Sequence, residues 1–154
     1  MTPPFRRILV PHDFSEPATR ALVLAADLAR RHRGRLTVLH VITPFQPVTG
    51  LPDVGQWIPE AEILAGARRA LADVVARTVK GSDAPPVDLR VVLGDPYRRI
   101  VDAARRADLI VMATAGRTGV SHLLIGSVAE KVVRHAPVPV LTVRPAPARG
   151  GRAR

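Results

Sequence analysis

Cysteine is absent from this 154-residue chain, which excludes disulfides, thiol nucleophiles and thiolate metal ligands and fits a reducing compartment. Aromatic residues make up only 3% of it, too few to build the stacking platforms that hold single-stranded nucleic acid. No apolar run approaches the ~18 residues of a membrane helix. The opening MTPPFRRILVPHDFS breaks its short apolar stretch at His12 and Asp13, unlike a signal peptide. A soluble, cytoplasmic protein with no membrane attachment is expected. GxxxxGK[ST], GxGxxG after the first strand and GxSxG are all missing, which removes the ordinary P-loop, the dinucleotide fingerprint and the serine-hydrolase elbow. His12, His32, His40, His122 and His135 have no zinc-ligand spacing.

Arginine, by contrast, is abundant. The formal net charge is +10, from 23 basic and 13 acidic residues, and only Lys80 and Lys131 are lysines. The positive charge is scattered in doublets such as Arg6-Arg7, Arg30-Arg31 and Arg105-Arg106, with no readout motif beside it, so nucleic acid is not the expected partner.

Helix-length segments alternate with short apolar runs. Arg7–Val10, Arg35–Ile42, Val87–Leu93 and Asp108–Thr114 read as strands, and their near-continuous apolar character suits a parallel sheet covered on both faces. Ser15 is a candidate N-cap for a helix with Pro17 in its first turn and Gly34 as its stop. Leu22, Ala25, Ala26 and Ala29 form the small-residue stripe that brings this helix close to the sheet. A second helix is expected over about residues 60–80, with Gly81 ending it; a third opens with Asp95 as cap and Pro96 inside; a fourth runs from Ser127 to Arg134. The order β-α-β-α-β-α-β-α-β argues for one doubly wound sheet with right-handed crossovers. The last strand, Val138 to Val143, contains Pro139 and belongs at an edge; its apolar side chains favour pairing with a second copy, giving a homodimer. The 43–59 segment, which carries Trp57, is long for a connection and is either a plug over the sheet edge or a partner-binding or ligand-covering loop. Residues 145–154 form a basic tail expected to lack order.

Ligands of such sheets collect beyond the carboxyl ends of the strands. His12 and Asp13, Val41, Gly94 and Asp95, and the 113–127 loop all fall there. Asp13 could hydrogen-bond sugar hydroxyls, or it could form only a turn into the first helix. In AGRTGVSHLLIGS, Gly116 and Gly126 admit close approach by phosphate oxygens. Gly126 and Ser127 lie where the unpaired amides of a helix start favour an anion, and Ser127 could bond a terminal phosphate while capping the helix. The loop is thus either a phosphate site or a structural turn.

Four stretches taken together resemble the universal stress protein family over Arg6 to Val143: ILVPHDFS at 8–15, GDPYRRIVDAA at 94–104, DLIVMATAGRTGVSHLLIGSVAEKV at 108–132 and HAPVPVLTV at 135–143. The resemblance implies residues 1–144 as one α/β domain. It also implies a five-stranded parallel sheet of order 3-2-1-4-5 with helices on both faces, dimerisation through the fifth strand, and, in one branch, ATP in the cleft beside strands one and four. That branch is similar to glycine, two residues, glycine, nine residues, then glycine and serine or threonine. Here the pattern places Gly116, Gly126 and Ser127 in register but puts Ala113 at the first glycine. Ala115 stands where many relatives carry histidine. Asp13 matches the carboxylate near the ribose and Val41 the backbone contact on the adenine side. The implied nucleotide contacts are Pro11, Asp13, Val41, Ala113, Gly116, Arg117, Gly126, Ser127 and Val128, with ATP as the cofactor and Mg²⁺ as its companion cation. If Ala113 has negative φ its methyl adds only modest crowding; if the nucleotide needs bare backbone there, or φ is positive, it would cost about 1 kcal/mol or more. The implied function is a homodimeric stress-response module regulated by ATP occupancy. A nucleotide-independent interaction module with an unknown protein partner and a weak ATPase are the alternatives.

Overall fold

The computed structural model describes residues 5–44, 59–115 and 125–144. Its elements are β1 (Arg7–Pro11), α1 (Glu16–Arg31), β2 (Arg35–Ile42), α2 (Glu60–Thr78), β3 (Val87–Leu93), α3 (Pro96–Ala104), β4 (Leu109–Ala113), α4 (Ser127–His135) and β5 (Val140–Val143). The sheet is parallel throughout, in the order β3-β2-β1-β4-β5, as the resemblance implied. Strands joined by helices must return to the same end of the sheet before pairing again, which makes the pairing parallel.

Alternation along β1 assigns the two faces. Ile8 and Val10 point to one layer with Leu36, Val38, Leu109 and Val111, where Ala21, Leu22, Ala25, Ala26 and Ala29 of α1 and Leu71 of α2 close over them. Leu9 points to the other with Leu39, Ile110 and Met112, under Ile100 and Ala104 of α3 and Ala129 and Val132 of α4. The alanine stripe of α1 is fully buried, so small side chains bring this helix down onto the central strands.

Ser15 caps α1, its Oγ accepting from the Ala18 amide at 3.2 Å, and Asp95 caps α3, its Oδ1 accepting from the Arg98 amide at 2.9 Å. Gly94, at φ +140°, makes the turn between β3 and that cap, in backbone space that side chains disfavour. The end of α1 differs from expectation. Arg33, not Gly34, carries the positive φ, at 51°. Gly34 is required instead for close approach, because a Cβ there would lie 2.7 Å from the Arg6 carbonyl oxygen. β5 is also shorter than the expected Val138–Val143, since Pro139 precedes the ladder and contributes only its carbonyl, which accepts from the Ile110 amide at 3.0 Å.

Candidate functional site

A cleft of about 300 Å³ opens at the carboxyl end of the sheet, between β1 and β4, with the start of α4 on its rim. That is the low end of the range for small-molecule sites. Seven of the nine expected contacts line it: Pro11, Asp13, Val41, Ala113, Gly126, Ser127 and Val128. Gly116 and Arg117 lie outside the described residues, as do Gly119, His122 and Trp57. Asp95 does not line the cleft, being engaged as the α3 cap, whereas its neighbour Pro96 does.

β1 delivers Asp13 through a tightly bonded turn. The His12 amide donates to the Leu39 carbonyl at 2.8 Å, continuing the β1–β2 ladder past Pro11. Phe14 then takes φ +65°, uncommon for a bulky residue and therefore held by its surroundings. Its amide donates to His12 Nδ1 at 3.1 Å, and its ring packs 4.5 Å from that of His40. An amide can only donate, so His12 Nδ1 is the acceptor and the ring proton sits on Nε2, which faces Thr19 Oγ1 at 3.3 Å. Thr19 donates onward to the Ser15 carbonyl, and His40 Nδ1 donates to the His12 carbonyl at 2.8 Å. His12 is only 3% exposed. Burial pushes its imidazole below the usual histidine range, helped by the neighbouring His40 and opposed by the Asp13 carboxylate. Asp13 Oδ1 accepts from the Ser15 amide at 3.0 Å, so the turn-forming role and the cleft position coexist in one side chain.

β4 delivers the second wall. Ala113 ends the strand and has no positive φ, so its methyl brings no backbone strain. Ala115 is buried, and its side chain offers no polar atom. Thr114, which the sequence did not single out, joins three elements. Its amide donates to the Val143 carbonyl at 3.0 Å and its carbonyl accepts from the Gly126 amide at 2.7 Å. This corrects two expectations. The Gly126 amide closes the loop onto Thr114 rather than facing an anion, and Gly126, not Ser127, is the N-cap of α4. No side chain caps that helix. Ser127 and Val128, on the cleft wall, present the first-turn amides that helices cannot bond internally.

The deeper wall is apolar, from Leu39, Val41, Ile100 and Met112. An apolar slot on β2 joined to the opening amides of α4 suits a flat heterocycle carrying an anionic tail, with a carboxylate between them for hydroxyls. No group of three or more metal-ligating side chains occurs among the described residues. No helix among them is long and apolar enough to cross a membrane.

The universal stress protein family model matches residues 4–144. A universal stress protein of Thermus aquaticus is 37% identical over 142 residues, covering 91% of this chain and 99% of its own. The solved universal stress protein UspA of Lactobacillus plantarum is 30% identical with a TM-score of 0.67, covering 91% of this chain and 98% of its own. A universal stress protein of Archaeoglobus fulgidus, solved in complex with dAMP, shares the fold at a TM-score of 0.61 and 24% identity, covering 92% of this chain and 99% of its own.

Proposed function

The chain belongs to the universal stress protein family, and from that premise we infer that it is a cytoplasmic, homodimeric module that binds ATP and signals through nucleotide occupancy. One observation carries this reading: Pro11, Asp13, Val41, Ala113 and the Gly126–Val128 start of α4, from four separate stretches of sequence, line a single cleft. In it the apolar β2 side receives adenine, Asp13 the ribose hydroxyls, and the Ser127 and Val128 amides with the Ser127 hydroxyl a phosphate. The A. fulgidus relative is a family member of this fold that holds an adenine nucleotide. Without an acidic cluster among the described residues, Mg²⁺ would be held by the ATP phosphates and water rather than by a protein cage.

The dimer reading rests on β5. It is an edge strand, with Leu141 37% exposed on it and Val133 of α4 47% exposed nearby in sequence. Pairing β5 with its copy would satisfy the open ladder and cover apolar side chains.

A nucleotide-independent interaction module is favoured by one feature, the engagement of the Gly126 amide by Thr114, which removes one donor from the anion side. Equilibrium titration of nucleotide-stripped protein with ATP separates the two. Saturable binding well below 1 mM, weakened in Ala113→Leu, supports the nucleotide reading. An affinity no better than about 4 kcal/mol, with dimerisation intact, supports the alternative. ATP turnover that disappears in a folded Asp13→Ala variant would add a weak hydrolase to the first reading.

A further inference from the structure

The opposite end of the sheet carries a second cleft, of about 600 Å³, whose chemistry is wholly different. Arg6, Arg7, Arg30, Arg33 and Arg35 line it, against the single carboxylate of Asp83. These arginines come from the approach to β1, the end of α1 and the entry to β2, and the parallel topology returns all three to one place.

Part of this charge has a local structural explanation. Arg30 sits in the last turn of α1, where the helix carbonyls favour cations, and its Nη2 donates to the Lys80 carbonyl at 2.9 Å. Arg7 is paired to Asp108 at 2.7 Å. The rest is not explained that way. Arg6, Arg33 and Arg35 make no ion pair with a described residue. Arg35 is the register partner of Arg7 on the adjacent strand, and of the two only Arg7 has its charge met, by Asp108. Arg30 Nε is buried with no hydrogen-bond partner, its nearest carboxylate oxygen being that of Asp83 at 3.7 Å. The backbone beneath them is held firmly: Arg35 donates its amide to the Arg6 carbonyl at 2.7 Å, and the Arg6 and Arg7 amides both donate to Asp108 Oδ2.

We propose that this cleft is a binding site for a compact oligophosphate, separate from the nucleotide cleft. Guanidinium forks bond phosphate oxygens in pairs, and a multiply charged anion would bridge the exposed guanidiniums of Arg6, Arg33 and Arg35, which no described carboxylate pairs. The lining contains no aromatic ring on which a base could stack, so the phosphates themselves are the recognised group.

Isothermal titration with sodium tripolyphosphate at low ionic strength tests it, on wild type, Arg33→Glu/Arg35→Glu and the neutral Arg33→Gln/Arg35→Gln. Arg69→Glu/Arg77→Glu on α2, outside both clefts, matches the charge change, and Ala113→Leu obstructs the nucleotide cleft. Wild type, Ala113→Leu and Arg69→Glu/Arg77→Glu should bind alike. The two Arg33/Arg35 variants, folded by circular dichroism, should lose about tenfold or more in affinity. No binding by wild type, or an equal loss in both charge-reversed proteins, would overturn the site. A loss confined to Ala113→Leu would assign the anion to the nucleotide cleft instead. Tighter binding of single-stranded oligonucleotide than of tripolyphosphate through the same arginines would replace the small ligand with a nucleic acid.

Discussion

The two ends of the sheet are built by the same strands yet offer an anion opposite means of binding. At the carboxyl end the cleft wall holds Asp13, the buried neutral His12 and the opening amides of α4, and no described cation lines it. At the amino end five guanidiniums surround the opening. The difference follows from chain direction. In a parallel α/β sheet every helix starts at the carboxyl end and finishes at the amino end, so amides converge on one side and carbonyls on the other. An anion at the first side can be held by backbone; at the second it needs cationic side chains.

The amino end is most vulnerable at Gly34. An added methyl would meet the Arg6 backbone at 2.7 to 2.9 Å, so Gly34→Ala should destabilise the protein by about 1 to 3 kcal/mol in urea unfolding. ATP affinity of the folded fraction should hardly change.

Next in size is Asp108, which binds two backbone amides and the Arg7 guanidinium at the amino end. Asp108→Asn should cost about 1 to 2 kcal/mol by the same measurement. The hydrogen bond from the Arg7 side chain, more than burial opposes it, holds the Asp108 carboxyl below its ordinary 3.8. Its stabilisation is therefore complete above the ordinary carboxylate value and is lost as pH falls through the lower folded value. Acid unfolding should be less steep in Asp108→Asn.

At the carboxyl end, Ala113→Leu should weaken ATP binding by about tenfold, roughly 1.4 kcal/mol, while leaving the unfolding free energy in urea within about 1.5 kcal/mol of wild type. A smaller effect lies with His12. Its folded value is depressed below 6.5, so the unfolded chain takes up the proton first and stability falls as pH drops below that ordinary value toward the folded one. His12→Asn, which keeps an acceptor for the Phe14 amide, should flatten stability between pH 7 and 5.5. The smallest change is expected from Ala113→Gly. With no positive φ at that position, placing there the glycine of the ATP-binding branch's pattern should alter ATP affinity by less than about threefold.

Most of the fold was legible because strand runs, caps and small-residue stripes are local signals. Ser15 and Asp95 cap where expected, and Ala25, Ala26 and Ala29 bury as their spacing requires. Asp13, Val41 and Ala113 could be brought to one end of the sheet from topology alone. The bonds that organise that end could not. The Gly126 amide reaches Thr114 across the loop, and His12 accepts from Phe14 only because Phe14 adopts a left-handed conformation that no residue type announces. The arginines illustrate the same limit. The doublet Arg6-Arg7 and the short run that holds Arg30, Arg33 and Arg35 are far apart in sequence and match no motif, and they become one cleft only when β1, α1 and β2 meet at the amino end of the sheet. Gly34 was read as a helix stop because glycine usually is one, whereas its requirement comes from the approach of Arg6.

The direct test of the claim that α4's opening amides receive a nucleotide phosphate is a two-dimensional amide NMR titration with ATP. The Ser127 and Val128 amides should move furthest, together with Asp13 and Ala113, and should still do so in Arg33→Gln/Arg35→Gln. Saturating shifts confined to the arginine end, or none at Ser127 and Val128, would contradict it.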